Sequence, residues 1–493
     1  MSEMMALRKS LWQACDLLRR KVDSSAYQDY IFSILLFKYI SDMKNGFAEN
    51  SIPGSYSELL EIVSRVPDDS DFYHIYHEAK NHGGYIGERI DDSLRLIDQA
   101  IDSVCKSRGS YLFESMQFAS VNFGERSERD RMLNDLLTIF ARPEMDFSYR
   151  QDGVNKIKVA CGYLFEKFSS DSNGRNSEFY TPEGVSWLIA ELLQPKLGDK
   201  ICDPICGSGS LLITLGEKIE NSYGSNDYIL FGQEFNRSSW ILAKINMILH
   251  NEMNSRVEWG DVISNPHLLD SDNRLMKFDV VASNPPLNIS GWNYDDLVRD
   301  SYGRFNLGLP PQTKGDYAFI LHMVSTLKSA TGRMAILVSH GVLFRGGQEE
   351  TIRKNLVDGG LLDAVIGLPD RLLPGTGIPT VILIFRKDRK NSNVVFIDAS
   401  DLAKPVKGRN LITSEIIGKI SKCYFERMSV DSFSHVAYLD EIRQNDYNLN
   451  ISRYVKKHEE FSPIDLKSLR QQREELLSTL HELENEMKYF IDN

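Results

Sequence analysis

The sequence predicts an α/β protein with an open sheet, an N-terminal all-α domain and a C-terminal coiled-coil helix. Three observations predict it. Apolar residues recur at helical spacing through residues 7–147, and short apolar runs typical of buried strands follow from residue 200 onward. The last helical pattern spaces its apolar residues by three and four. We expect the domains to cover residues 1–150, 151–400 and 401–493.

Composition narrows the class of protein. The chain has 493 residues, enough for two or three domains, with 42% hydrophobic and 26% charged residues, as in soluble globular proteins. No apolar run is long enough to span a bilayer, and the N-terminus lacks the pattern of a signal peptide. The six cysteines do not have the spacing of a disulfide framework or of a metal site. We therefore expect a cytoplasmic protein with reduced thiols, no membrane and no metal.

The net charge argues mildly against a protein that grips nucleic acid alone over a large surface. It is -12, whereas phosphate contacts need Lys and Arg. A local basic patch, or a partner that supplies the contacts, remains open. The helical N-terminal region has basic residues near its start, but such residues more commonly form a solvated helix face. The simpler interpretation of the whole region is an all-α packing or docking domain.

A change of pattern near Asp152 opens the second domain. Val154 to Phe168 has helical periodicity, and a polar, turn-rich loop follows it. The loop leads into Glu178-Phe179-Tyr180-Thr181-Pro182-Glu183. Here Thr181 is predicted as an N-cap and Pro182 as the first helical residue. On this stretch alone, Phe179 and Tyr180 are more simply an aromatic staple than the wall of a pocket.

A glycine turn follows the first predicted strand. The strand ends at Asp203, and the sequence Gly207-Ser208-Gly209-Ser210 leads into a helix. Glycines let a ligand approach the backbone, and a helix N-terminus presents free N–H groups. The pattern is neither G-x-G-x-x-G nor a P-loop, which disfavours a polyphosphate. It suits a zwitterionic amino acid, whose carboxylate meets the N–H groups and whose ammonium lies near Asp203.

Acidic residues end the next two predicted strands. Glu234 follows the second strand, at the position where a ribose diol is held in open α/β sheets. Asp261 follows the third strand and is predicted to lie near an adenine amine.

The fourth predicted strand, Phe278 to Ser283, ends abruptly in Asn284-Pro285-Pro286-Leu287. The two prolines fix the backbone just after Asn284, and the carboxyl ends of strands are where such sheets bind ligands. An Asn side chain offers one acceptor and two donors, which suits an exocyclic amine. If this strand neighbours the one ending at Asp203, Asn284 lies beside the cofactor. Further strands of the same sheet are expected at 332–338, 362–366, 380–385 and 394–398.

The C-terminal helix is predicted to open at Ser462-Pro463. Its apolar seam, broken once at Arg473, consists of Leu466, Leu469, Leu476, Leu480, Leu483, Met487 and Phe490. The seam is narrow and terminal, which favours an intermolecular partner helix over packing on its own domain.

Together these residues resemble the modification (HsdM) subunits of type I restriction–modification systems, which are γ-class N6-adenine DNA methyltransferases. The resemblance covers most of the chain. Besides the motifs above, it includes Lys314-Gly-Asp-Tyr-Ala-Phe319, Phe344-Arg-Gly-Gly347 and Asn445-Asp-Tyr-Asn-Leu449. The order of these motifs is more specific than Asn-Pro-Pro alone. The fold that it implies is a Rossmann-like S-adenosylmethionine-dependent methyltransferase sheet.

The resemblance implies roles for the matching residues. Residues Glu178 to Glu183 and Ser208 to Ser210 would line the methionine end of S-adenosylmethionine, and Glu234 would hold its ribose. Asn284 and the Pro285 carbonyl would accept hydrogen bonds from the adenine N6 amine of a flipped base. The family also implies a specificity subunit bound by two modification subunits, double-stranded DNA as substrate, and a restriction subunit for cleavage.

One residue departs from the family pattern. An aromatic residue usually follows the two prolines and stacks on the flipped base, but here it is Leu287, so Trp292 or Phe344 is a candidate substitute. Two alternatives stay open: an RNA guanine-N2 or protein glutamine-N5 methyltransferase, which share Asn-Pro-Pro motifs, and a catalytically decayed scaffold subunit. Leu287 is the one feature that favours the scaffold.

Overall fold

The structure is a computed structural model. It describes residues 3–19, 21–22, 27–46, 56–81, 84–105, 112–114, 116–149, 152–171, 181–292, 294, 300–373, 376–406, 409–457 and 466–491. The chain forms two compact units, Met1–Val455 and Lys456–Asn493. The domain boundaries expected near residues 150 and 400 stay predictions.

The N-terminal part of the first unit is helical. Its helices are α1 (Glu3–Arg19), α2 (Tyr27–Gly46), α3 (Ser57–Arg65), α4 (Phe72–Asn81), α5 (Ile86–Cys105) and α6 (Arg126–Phe140). The apolar residues that predicted α5, among them Ile90 and Leu94, are buried in a common core. α2 is buried almost all round, so its Lys38 pairs with Asp42 and donates to the Met145 carbonyl over 2.9 Å. A buried lysine needs such partners.

The α/β part begins with two helices and alternates strands with helices. Its first elements are α7 (Gly153–Asp171), α8 (Glu183–Leu193), β1 (Lys200–Asp203), α9 (Ser210–Tyr223), β2 (Ile229–Glu234), α10 (Arg237–Leu249), β3 (Arg256–Trp259) and β4 (Val280–Ser283). The next are α11 (Asp316–Ser325), β5 (Arg333–Ser339), α12 (Gln348–Asp358), β6 (Leu362–Gly367), β7 (Thr380–Arg386) and β8 (Val394–Asp398). The unit ends with β9 (Lys404–Val406), β10 (Arg409–Leu411), α13 (Ser414–Phe425), β11 (Ser434–Ala437) and α14 (Leu439–Gln444).

One sheet of nine strands organises this part, in the order β11-β8-β6-β7-β5-β4-β1-β2-β3. β1 pairs in parallel with β2 on one side and with β4 on the other, while β7 runs antiparallel to β5 and β6. The chain order therefore reverses between β1 and β4. This arrangement confirms the predicted α/β fold and the neighbouring strands on which the placement of Asn284 depended. The carboxyl ends of β1 and β4 form the crevice in which such sheets bind ligands.

Helix and strand bounds differ from the predictions by a few residues. α8 begins at Glu183 with Pro182 as its N-cap, so the prediction of Thr181 as N-cap and Pro182 as first helical residue was wrong by one position. The second strand was predicted to span residues 228–231, but β2 extends to Glu234 because its last residues pair with β3. β3 ends at Trp259, which leaves Asp261 in the loop beyond the strand.

The second unit is described as one helix, α15 (Leu466–Ile491). The predicted start at Ser462-Pro463 lies outside the described residues. Of the predicted seam, Leu476, Leu480, Leu483 and Met487 are exposed. Among the helices in the described ranges, none has the length and apolar content that a bilayer crossing requires.

Candidate active site

The turn after β1 brings the backbone close to α10. Gly207 and Gly209 adopt φ values of +53° and +75°, in the left-handed region that favours glycine. A Cβ atom on Gly209 would lie 2.7 Å from Met247 Cε, so the Met247 side chain would have to shift to admit a larger residue. The Gly209 N–H donates to the Cys206 carbonyl at 2.8 Å. The result is a tight turn whose N–H groups lead into the first turn of α9.

Asp203 presents a buried carboxyl group at the end of β1. Its Oδ1 accepts the Ile205 N–H at 3.0 Å, and the side chain is 2% exposed. Burial raises the pKa of this carboxyl to about 7, which the Ser283 hydroxyl and the Ile205 N–H oppose and the nearby Glu234 carboxylate reinforces. A carboxyl group held near neutrality is ready to ionise against a cationic ligand.

Glu234 connects the end of β2 to the glycine turn. Its Oε2 accepts the Gly207 N–H at 2.9 Å, and its Oε1 accepts the Asn236 N–H at 2.7 Å. Burial raises the pKa of Glu234, while these N–H groups and that of Phe235 oppose the shift. Each carboxylate oxygen keeps a further lone pair, so the group can still accept a hydrogen bond from a ligand hydroxyl.

Asp261 stabilises its own loop. Its Oδ1 accepts the Ile263 N–H at 2.9 Å and its Oδ2 accepts the Ser264 hydroxyl at 2.6 Å. The buried Arg304 donates to the carbonyls of Val262, at 3.1 Å, and Ile263, at 2.9 Å. Asp261 therefore sits on a loop fixed from two sides, a role that its position after a strand did not reveal.

Asn284 lies directly beyond β4, which is buried along its whole length. Asn284 is 9% exposed and Pro285 is buried, while Pro286 and Leu287 are half-buried. Within the described part of the chain, no hydrogen bond occupies the Asn284 side chain. The residue therefore stands beside the strand that carries Asp203, with its amide available to a ligand.

A cavity of about 310 Å³ joins two of the predicted cofactor segments. It is lined by Thr181 and Glu183 from the start of α8, by Ser210 from the start of α9, and by Asn246 and Ser186. Glu178, Phe179 and Tyr180 lie outside the described residues, and their predicted role stays a prediction. Ser208 is buried, and its hydroxyl lies 3.5 Å from that of Ser210.

Asn246 contributes to the site without having been predicted. It is 1% exposed in α10, its Nδ2 donates to the Ser208 carbonyl at 2.9 Å, and its Oδ1 has no hydrogen-bond partner among the described residues. The Ser186 hydroxyl, which lines the same cavity, is equally buried and finds no partner within the part of the chain that the structure describes. An amide in the apolar second half of the helix, where Lys244 is the other polar residue after Ser239, was the available signal in the sequence.

These groups fit a ligand with an amino-acid end and a nucleoside end. The cavity touches the end of the glycine turn only through Ser210, and its lining does not include Asp203 or Glu234. Among the described residues no cation pairs with Asp203, and Glu234 has spare acceptor capacity. The two glycines provide the close backbone approach.

The two candidate aromatic residues differ in access. Trp292 is buried, donates its indole N–H to the Pro311 carbonyl at 3.1 Å, and packs against Phe305. It is therefore not placed to stack on a base, and that suggestion was wrong. Phe344 is 48% exposed, and the next residue, Arg345, lies 3.4 Å from the Asn288 side chain. Phe344 thus lies near the turn that follows Asn284.

Comparison with known families gives two matches. Residues 159–462 match the family described as N-6 DNA Methylase. Residues 7–140 match the family described as HsdM N-terminal domain.

Curated relatives match over nearly the whole chain. The methylase subunit of the type I restriction enzyme MjaVIII from Methanocaldococcus jannaschii is 32% identical, over 92% of this chain and 79% of its own. The MpnII methylase subunit from Mycoplasma pneumoniae is 28% identical, over 99% of this chain and 96% of its own.

Solved structures share the fold. The type I restriction–modification methyltransferase subunit from Streptococcus thermophilus has a TM-score of 0.81 and 31% identity, covering 92% of this chain and 100% of that one. A chain from work on type I R-M complex assembly has a TM-score of 0.63 at 20% identity, which supports the fold alone.

Proposed function

The chain belongs to the N-6 DNA Methylase family, among the methylase subunits of type I restriction enzymes, and from this premise we propose its reaction. It transfers a methyl group from S-adenosylmethionine to N6 of adenine in DNA, at a sequence chosen by a partner specificity subunit. This modification protects host DNA from cleavage.

The observation that carries this proposal is the placement of Asn284. Its unoccupied side chain lies at the end of β4, and β4 pairs directly with β1, which carries Asp203 and the glycine turn. An exocyclic amine held by Asn284 would therefore lie beside a ligand bound at that turn. The carboxyl ends of neighbouring parallel strands meet at one edge of the sheet, which brings the two groups together.

Two acceptors act on the target amine in this proposal. The lone pair of the adenine N6 amine is delocalised into the ring, so the amine is a poor nucleophile. The Asn284 side-chain oxygen and the Pro285 carbonyl both accept its N–H groups, which favours a tetrahedral nitrogen and frees the lone pair. The adenine must first leave the duplex stack. Catalysis is then mainly positioning and electrostatic stabilisation.

S-adenosylmethionine, when bound, supplies an electrophilic methyl group. Asp203 would hold its ammonium, and the N–H groups at the start of α9 would hold its carboxylate. Glu234 would accept a ribose hydroxyl through its spare lone pairs, and Asp261 is the residue that would be nearest the adenine amine. Asn246 holds the Ser208 carbonyl, which keeps the turn in place for this ligand.

The partner subunits in this proposal supply DNA contacts that the acidic chain lacks. A net charge of -12 leaves little cationic surface for DNA phosphates, so the specificity subunit provides the sequence readout. We propose two copies of this chain on one specificity subunit, with double-stranded DNA as substrate and a restriction subunit as a further partner.

The test is transfer of labelled methyl groups to duplex DNA by the purified chain with and without its specificity subunit. The expected label is on adenine N6, and only with the partner present. Asn284→Ala should abolish transfer while S-adenosylmethionine binding persists. Label on RNA guanine or on a protein glutamine would reject the proposal, as would full activity of Asn284→Ala.

A further inference from the structure

Three sequence motifs to which no separate role has been assigned lie together beside the turn that follows Asn284. They are residues 314–319, at the start of α11, residues 344–347, before α12, and residues 445–449. The first contact is at Asn288, whose N–H donates to Asp316 Oδ1 at 3.2 Å. Asn288 adopts a φ of +56°, a conformation that asparagine tolerates better than most residues. The chain thus continues from the two prolines through Asn288, whose backbone is held in place by Asp316.

Arg345 holds the other side of the same turn. Its Nη1 lies 3.4 Å from Asn288 Oδ1, which also accepts the Ser339 hydroxyl at 3.2 Å. Its Nη2 contacts Asp316 Oδ2 at 2.5 Å, and its Nε contacts Glu349 Oε2 at 2.6 Å. Both carboxylate side chains are 2% exposed. One guanidinium therefore pairs with two buried carboxylates and reaches the turn, which a planar fork of five donors can do.

The segment that contains Arg345 is itself held by contacts with α12 and with residues 445–449. Arg353, buried in α12, donates to the Arg345 carbonyl at 2.9 Å and to the Tyr447 carbonyl at 2.7 Å. The Leu449 N–H donates to the Leu343 carbonyl at 2.9 Å. Residues 445–449 thereby hold Leu343 and Arg345 in place. The three motifs form one connected support, although 94 residues separate Arg353 from Tyr447.

We propose that Asp316 and Arg345 are positioning residues for methyl transfer, which hold the Asn284–Leu287 turn through Asn288. The inference rests on the proposed function. Two acceptors must meet one amine nitrogen at once, and an error of about 1 Å in such geometry costs roughly a hundredfold in rate. The prolines fix φ within the turn, but they do not fix how the turn lies against the sheet. Asp316 and Arg345 supply that constraint.

A buried ion pair elsewhere in the sheet provides a matched control. Arg333, at the start of β5, contacts Asp199 at 2.8 Å and donates to the Gln194 carbonyl at 2.8 Å. Arg333→Gln breaks a pair of comparable burial without touching the turn. It should lower thermal stability as Arg345→Gln does, and leave the turnover of the folded enzyme unchanged.

The first experiment measures amide hydrogen exchange in residues 284–292 of the full chain, without any assay of activity. Asp316→Ala and Arg345→Gln should each speed exchange there at least tenfold, since the Asn288 N–H loses its acceptor or that acceptor's partner. Arg333→Gln should leave the segment unchanged. Unchanged exchange in both test variants, or equal acceleration in the control, would overturn the positioning role.

The second experiment measures steady-state methyl transfer by the complex with its specificity subunit. Arg345→Gln should lower kcat about a hundredfold with S-adenosylmethionine affinity within about twofold of the wild type. Arg345→Lys should recover thermal stability, because the positive charge remains, but not kcat, because Lys lacks the fork that reaches Asn288. Wild-type kcat in Arg345→Gln would refute the inference. A wild-type complex with no transfer to adenine would refute the proposed function instead, and the exchange result would still decide the positioning role.

Discussion

The Glu234 carboxylate accepts the backbone N–H of Gly207 at 2.9 Å and so ties the end of β2 to the glycine turn after β1. The same carboxylate lies near Asp203 and reinforces the rise of its pKa. A residue predicted only as a ribose ligand thus also shapes the turn and the charge state of its neighbour. Binding at any one of these groups should affect the other two.

Asp203 should make the stability of the ligand-free protein fall with rising pH. Burial raises its pKa from 3.8 to about 7, so between these values the folded chain binds more protons than the unfolded chain. The free energy of unfolding therefore decreases as pH rises through that window. In Asp203→Asn the free energy of unfolding should fall by up to roughly 4 kcal/mol less over this window. The variant should therefore be more stable than the wild type at pH 8 and similar to it near pH 4. Urea denaturation at several pH values measures it, and a wild type more stable than Asp203→Asn at pH 8 would contradict it.

The affinity for S-adenosylmethionine should rise with pH through about 7 in the wild-type protein. A cationic ammonium beside Asp203 favours the ionised carboxylate, whose pKa of about 7 means that a proton must leave at lower pH. Below that pH, each unit should weaken binding by roughly tenfold. Calorimetry in buffers of different ionisation enthalpy would detect the released proton. A pH-independent affinity in the wild type, or the same pH dependence in Asp203→Asn, would show that Asp203 does not bind the ammonium group of the ligand.

Gly209→Ala should weaken both folding and cofactor binding, whereas Gly224→Ala should affect folding slightly. Both glycines have positive φ, of +75° and +66°, which costs roughly 1–2 kcal/mol for an L-residue. Only at Gly209 does the new methyl group clash, since it would lie 2.7 Å from Met247 Cε; Gly224 has open space. Overpacking a rigid core costs about 1–3 kcal/mol, and movement of the flexible Met247 side chain keeps the added cost toward the lower end. Thermal denaturation and calorimetric titration compare the two variants, and equal effects would show that the contact with Met247 is unimportant.

Leu287→Phe should tighten the binding of an extruded adenine. The stack of a base on an aromatic ring contributes roughly 1–3 kcal/mol, and Leu287 is half-buried at the turn beside Asn284. Fluorescence of 2-aminopurine placed at the target base measures extrusion in the complex with the specificity subunit.

Phe344→Ala in the wild-type background provides the comparison for that variant, because Phe344 is exposed near the same turn. Phe425→Ala, an exposed aromatic on α13, is the control. If Leu287→Phe leaves binding unchanged and Phe344→Ala weakens it, the stacking residue is Phe344 and the prediction for Leu287 is wrong.

The exposed stripe on α15 should carry the contact with the partner. Leu476, Leu480, Leu483 and Met487 are more than half exposed and lie on one face of the helix. Leu480→Asp should weaken binding of the specificity subunit by roughly 2 kcal/mol, about thirtyfold. Ser478→Asp is the control, since Ser478 is exposed and lies about 160° around the helix from Leu480. Equal loss of co-purification in both variants would contradict a narrow seam.

The sequence led to the strands, the turn after Asp203 and the rigid loop at Asn284 because each is governed by local rules. Glycines permit positive φ, prolines end strands, and buried strands are short apolar runs. The same local reasoning misjudged Trp292, which is buried against Phe305, and missed Asn246, which holds the glycine turn. Both outcomes depend on residues brought together from distant parts of the chain.

By itself the sequence determined the α/β class, the order of the motifs and the chemical types of the groups at the strand ends, since spacing and backbone limits act over a few residues. Only the tertiary structure decided which groups meet. Sheet order places β4 beside β1, Glu234 reaches Gly207 across 27 residues, and Arg345 reaches Asn288 across 57. Such contacts follow from how strands pair and helices pack, and the spacing of residues along one strand or helix does not contain that information.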